Sequence, residues 1–247
     1  MHVPKSVLIT GANRGIGLGL VHAYLGLDGV QHVFATARDL PSAKELKSIS
    51  DPRLHLVQMD VQKDETIKAA AEQVEKVVGA DGLNLLINNA GIWEAYPMDT
   101  TPNRDIVNRV LDVNGTSQLI VTQYFLPLLR NAASSEDWGV HRAAIVMMSS
   151  GAASIVDNGS GSRNGNLAYR LSKAALNQLM KTLAVDLSKE GILVASVAPG
   201  HVLTDMGGKS AEITVEQSCS EMVATFSKWE KQHTGGFFRR NGDPFPF

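Results

Sequence analysis

Apolar residues fall along the chain in two alternating kinds of stretch. Short runs rich in Val, Ile and Leu occupy positions 6–10, 32–36, 54–58, 83–87, 143–149 and 193–198, with a shorter one at 236–238. They lack the strict alternation of a half-exposed strand, which suits strands of a parallel sheet covered on both faces. Longer stretches with helical spacing lie between them, near 16–27, 41–49, 63–79, 101–131, 167–189 and 214–231. Strand and helix alternate from end to end, so the expected class is α/β.

Two architectures fit that alternation, an eight-stranded barrel and an open doubly wound sheet. A barrel of about 250 residues is typical, so length does not separate them. The first turn does. It carries Gly11, Gly15 and Gly17 between the first strand and the first helix, as the dinucleotide-binding crevice of an open sheet requires. The expectation is a single Rossmann domain over 1–247, a doubly wound parallel sheet flanked by helices. The polar stretch 157–166 (DNGSGSRNGN) is only ten residues long, which fits a loop inside one domain.

Composition narrows the function. At 44% hydrophobic and 19% charged residues the chain can fill a large core, which excludes a disordered protein. No apolar run approaches the roughly 18 residues that cross a bilayer. A formal charge of −2 supplies no basic field for nucleic acid. Cys219 is the one cysteine and cannot form an internal disulfide. The apolar stretch at 7–9 is far shorter than a signal-peptide core, so the expected compartment is the cytoplasm. No metal site is expected.

The segment Ser6 to Gly17, SVLITGANRGIG, leads from strand to helix. Glycine allows positive φ and close backbone approach, and a helix N-terminus offers unpaired N–H groups to a pyrophosphate. Arg38, after the second strand, and Arg14 could cradle the extra phosphate of NADP. Asp39 leaves NAD open, because it could neutralise Arg38 or bind a ribose itself. At the other end, Tyr169 and Lys173 stand at i and i+4 on one helix face. An ammonium beside a phenol lowers its pKa and fits it for proton exchange with a substrate oxygen. Ser149 and Ser150 close a buried strand, where a hydroxyl could polarise a carbonyl or simply form a turn.

TGANRGIG (10–17), NNAG (88–91), Asn114, Ser150, YRLSK (169–173) and PGHVLTDM (199–206) occur together and in order. In this the chain resembles the short-chain dehydrogenases/reductases over essentially its whole length, and among them the carbonyl reductases of the sniffer or C-factor-like kind. The resemblance implies NADPH-dependent reduction of a ketone, aldehyde or quinone by hydride transfer. Tyr169 would be the proton donor, and Lys173 would lower its pKa and hold the nicotinamide ribose. Ser150 would hydrogen-bond the substrate carbonyl, and Asn114 would anchor a water linking Lys173 to solvent. For the cofactor it implies Gly11, Asn13, Arg14, Gly15, Ile16 and Gly17 in the first turn, and Arg38 after the second strand. Asp60 and Val61 would contact adenine, while Asn88, Asn89, Ala90 and Gly91 would line the adenosine side. Pro199, Gly200 and Thr204 would wrap the nicotinamide end, with the Val202 backbone on its carboxamide.

Departures and rivals complete the picture. Ser150 and Tyr169 are nineteen positions apart, and the loop at 157–166 supplies the excess, so it is expected beside the substrate mouth. His201 reads as a wall residue and the segment 203–215 as a lid. Trp93 is a candidate for packing on substrate. NAD-dependent alcohol oxidation and a non-catalytic NADP-binding regulator are the rival functions. A serine hydrolase is remote, since no G-x-S-x-G occurs. Helices 101–131 and 167–189, with Leu111, Leu119, Leu176 and Leu179, are the expected homodimer face, unless those leucines face the sheet.

Overall fold

The computed structural model describes residues 2–134 and 137–247, and all seven apolar runs become strands of one sheet. They are β1 (Ser6–Ile9), β2 (His32–Ala37), β3 (Leu54–Gln58), β4 (Leu85–Asn88), β5 (Ala144–Met148), β6 (Leu193–Ala198) and β7 (Phe237–Arg239). Their order across the sheet is β3-β2-β1-β4-β5-β6-β7, and every neighbouring pair is parallel. The sheet is therefore open and doubly wound. The order reverses between β1 and β4, which places a ligand crevice above the carboxyl ends of those strands.

Successive strand residues point to opposite faces, and here both faces are buried. Val7, Ile9, Leu85, Ile87 and Val146 belong to one core. Leu8, Leu86, Ile145 and Met147 belong to the other. This is why the runs show no alternation. Helices α1 (Gly15–Leu25) and α7 (Val215–Phe226) cover the first core, with the short α2 (Lys44–Lys47) beside them. Helices α3 (Asp64–Val78), α5 (Ser117–Ala132) and α6 (Leu167–Asp186) cover the second. Helix α3 buries Ile67, Ala70, Val74 and Val78 along one stripe. It also has Asp64 and Glu65 in its first turn and Lys76 in its last, matching its dipole. Helices α1 and α7 pack so closely that a Cβ on Gly19 would lie 2.4 Å from Val215 Cγ1. Cys219 is buried between them, and burial holds its thiol up at about 12, which leaves it inert.

One expected helix is two. The stretch near 101–131 forms α4 (Arg104–Leu111) and α5, joined by Asp112–Thr116 wound as a π-helix. Asn103 caps α4 by accepting from Asp105 N and Ile106 N at 3.0 and 3.3 Å. The π turn contains Asn114, which is completely buried. The leucines offered for a homodimer face, or for the sheet, divide between the two. Leu176 is fully buried in the second core and so faces the sheet, while Leu179 packs against that core only in part. Leu111 and Leu119 are half-buried. Among the described residues no helix is long and apolar enough to cross a membrane.

Candidate active site

The crevice is built first from backbone. Thr10 Oγ1 accepts from Asn89 N at 2.9 Å and Ala90 N at 2.8 Å, and Asn89 Nδ2 donates to Thr10 O at 2.8 Å. These bonds sew the turn after β4 to the end of β1. Asn88 is buried, and its Nδ2 donates to Thr122 Oγ1 at 2.9 Å, bracing β4 against α5. Gly11 and Gly15 have φ of 63° and 54°, and a Cβ on Gly17 would lie 2.3 Å from Gly11 O. Helix α1 starts at Arg14 with no side-chain cap and no acidic residue in its first turn. Its first N–H groups and the positive end of its dipole therefore face the crevice without compensation, as an anion site does.

Asn13 and Ile16 flank this turn half-buried. Arg14 is exposed and pairs with Asp205 at 2.7 Å. Arg38 is exposed beyond β2 and makes no ion pair among the described residues. Asp60 is half-buried after β3, and its Oδ1 accepts from Gln62 N at 3.2 Å. Val61 packs on the second core. At the far side of the crevice Pro199 O accepts from Ser218 Oγ at 2.8 Å, and Gly200 adopts φ 89°. The flap that follows is tied down. Val202 pairs with Ile213, Thr204 Oγ1 accepts from Gly207 N at 3.0 Å, and His201 Nε2 lies 2.8 Å from Gly207 O. Thr204 overhangs the glycine turn, since a Cβ on Gly15 would meet its Cγ2 at 3.3 Å. The His201 ring is thus used inside the flap.

Ser150, Tyr169, Lys173 and Asn114 converge from three parts of the chain. Ser150 follows β5 and caps the turn Gly151–Ala153 by accepting from Ala152 N at 3.1 Å. Its hydroxyl also hydrogen-bonds the Tyr169 phenol. Tyr169 and Lys173 lie one turn apart on α6, with Lys173 Nζ 5.7 Å from the phenol ring centroid. Nζ donates to Met148 O at 2.8 Å. Asn114 Oδ1 accepts from Ile92 N at 2.8 Å, and its Nδ2 donates to Ile92 O at 2.9 Å and Ser172 Oγ at 3.0 Å. Ser172 Oγ in turn donates to Tyr169 O at 2.8 Å. A Cβ on Gly91 would fall 3.1 Å from Asn114 Oδ1 and 3.6 Å from Lys173 Nζ, so this glycine lets the two side chains meet the backbone.

The electrostatics differ from the expectation in one respect. Burial pushes the Tyr169 phenol above its ordinary value, and the Ser150 hydroxyl facing it pulls the other way. The neighbouring ammonium does not reverse the rise. Burial also lowers Lys173 to about 8, so the lysine is still mostly charged at neutral pH.

The polar loop lies against the segment after β4. Trp93 Nε1 donates to Asn166 Oδ1 at 2.7 Å, and Tyr96 N donates to Gly165 O at 2.8 Å. Trp93 remains 39% exposed. Two contributors were not singled out in the sequence, the Met148 carbonyl and Ser172. The latter sits inside YRLSK yet works through its contacts with Asn114 and the Tyr169 backbone.

Residues 5–214 match the sequence profile of a family described as short chain dehydrogenase. The chain is 45% identical to Sniffer of Caenorhabditis elegans, covering 99% of each, with a TM-score of 0.91. It is 38% identical to the carbonyl reductase Sniffer of D. melanogaster, covering 99% of this chain and 100% of that one, with a TM-score of 0.94. The NADPH-bound carbonyl reductase from chicken fatty liver is 37% identical, with coverage of 100% and 96% and a TM-score of 0.95. The family expected from the motifs, and the kinship with sniffer-type carbonyl reductases, are both met.

Proposed function

The chain belongs to the short-chain dehydrogenase family, and on that premise we propose that it reduces a ketone, aldehyde or quinone carbonyl to an alcohol with NADPH. The cofactor fits the residues present. The uncapped start of α1 and the tight glycine turn suit a pyrophosphate. Arg38 is an unpaired cation where an NADP phosphate needs one, and the exposed Arg14–Asp205 pair is weak enough to release Arg14 to join it. Asp60, Val61 and the 88–91 turn would take the adenosine. Pro199, Gly200, Val202 and Thr204 would take the nicotinamide end.

When bound, NADPH supplies the hydride. The protein supplies placement and the proton. Ser150 donates to the substrate oxygen and Tyr169 protonates it as it gains charge. The observation that carries this reading is the meeting of the Ser150 hydroxyl, the Tyr169 phenol and the Lys173 ammonium, whose Nζ lies 5.7 Å from the phenol ring centroid. Lys173 sets a positive charge beside that phenol and would hold the nicotinamide ribose. The Asn114 amide commits both protons and one lone pair to protein, and the other lone pair would hold a water on the way to Lys173.

We place cofactor binding and chemistry in one domain over 1–247, the protein in the cytoplasm, and two copies in a homodimer whose test is sedimentation. The activity test is Tyr169→Phe. NADPH oxidation with a panel of ketones, aldehydes and quinones should drop by about a hundredfold or more while NADPH binding stays near wild type. Wild-type rates in that variant overturn the reading. Tight NADPH binding by the wild type with no turnover across the panel would mark the regulator instead.

A further inference from the structure

Beyond β7 the chain turns at Gly242 and runs back along the strand. Arg239 N donates to Asp243 O at 2.7 Å and Phe245 N to Phe237 O at 2.7 Å, with Pro244 opposite Phe238. The Phe245 ring stacks on Phe237 at 4.8 Å and 21°, and the Arg239 guanidinium stands 4.0 Å from its centroid. These contacts fix the ring. Its tip reaches the turn that begins at Ser150, for a Cβ on Gly151 would lie 3.2 Å from Phe245 Cζ. Phe245 joins Ala153, Ala198 and Phe237 in a small core separate from the two main ones. Two residues on, Phe247 O accepts from Val156 N at 3.0 Å. Arg170, next to Tyr169, donates from Nη1 to Ala152 O at 3.3 Å.

We propose that Phe245 is a positioning residue: it seats the Gly151–Ala153 turn so that the Ser150 hydroxyl is aimed at the substrate oxygen beside Tyr169. The proposal rests on the role given to Ser150 above. The Ser150 rotamer is set by Ala152 N, and Ala152 lies in the turn against which Phe245 packs. A turn free to shift carries the hydroxyl with it, and a displacement near 1 Å can cost about a hundredfold in rate. Phe245 does this from seventy-six positions beyond Tyr169, on a segment that carries no recognised motif.

The test compares Phe245→Ala, Phe245→Leu, Gly151→Ala and Gly151→Ala/Phe245→Ala with wild type. The substrate is whichever of 4-nitrobenzaldehyde, acetophenone and 1,4-naphthoquinone the wild type reduces. Phe245→Ala should lower kcat about tenfold or more with NADPH affinity within about twofold, and Phe245→Leu should restore most of it. Gly151→Ala, which pushes the turn from the other side, should lower kcat likewise. The double variant should lose less than the product of the two single losses. Unchanged kcat in Phe245→Ala and Gly151→Ala overturns the proposal, as does a loss that runs in parallel with lost NADPH binding. If Phe245→Ala fails to fold, Gly151→Ala decides alone: lost kcat at native thermal stability supports the proposal, and unchanged kcat overturns it. Ser150→Ala separates the two levels. If that variant keeps wild-type kcat, the reading of the site has failed; if it is inactive while the Phe245 and Gly151 variants are normal, only the positioning role has.

Discussion

Replacing Asn114 with Ala should loosen the joint between the two halves of the candidate site, and the cost can be worked out from its contacts. The side chain makes three hydrogen bonds, two with Ile92 and one with Ser172. It is completely buried, so at least part of what it leaves behind is shielded from water. At a net value of about 1 kcal/mol per bond, the loss is about 3 kcal/mol. For a chain of this size that is a fall in Tm of roughly 6–12 °C. Ser172→Ala removes one of the three bonds together with the contact to Tyr169 O, and should cost about 1–2 kcal/mol. Because the two residues share a bond, the double variant should cost less than the sum of the singles by about 1 kcal/mol. Urea unfolding with linear extrapolation reads these differences. The reasoning is refuted if Asn114→Ala stays within about 0.5 kcal/mol of wild type, or if the two substitutions add without coupling.

Further expectations concern the cofactor and pH. Arg38→Ala should weaken NADPH binding by about tenfold to a hundredfold and leave NADH binding unchanged; an unaltered NADPH preference by fluorescence titration would show that the phosphate sits elsewhere. His55 lies below its ordinary value, because burial and the adjacent His32 disfavour its charge. The unfolded chain therefore binds more protons than the folded one as the pH falls through about 6.5. Stability is full above that pH and declines below it, and His55→Gln should flatten the slope between pH 7.5 and 5.5 in urea unfolding. A slope unchanged in that variant would assign the acid loss to other groups.

Legibility in the sequence followed the range of the forces involved. The seven strands could be read because each is a short apolar run whose burial on both faces, as at Val7, Leu8 and Ile9, is recorded in consecutive residues. The glycine turn could be read because Gly17 stands against Gly11 O and tolerates no side chain. The break between α4 and α5 could not, since a π turn leaves helical spacing intact on both sides. Leu176 could be read as a dimer-face residue because a stripe does not say what it packs against. The direction of the Tyr169 shift was missed for a similar reason. The lysine one turn away is visible in the motif, but the burial that outweighs it comes from the folded surroundings. Phe245 was invisible because its neighbour Gly151 is ninety-four positions earlier.

The π turn at Asp112–Thr116 has an evolutionary consequence. Bonds from i to i+5 hold one more residue per turn than an ordinary helix does, so this segment amounts to a single-residue insertion in an otherwise plain rod. A lineage that lost one residue here could close α4 and α5 into continuous helix with both flanks still seated on their neighbours. The sheet, the two cores and the glycine turn would survive, and only the lodging of Asn114 would go.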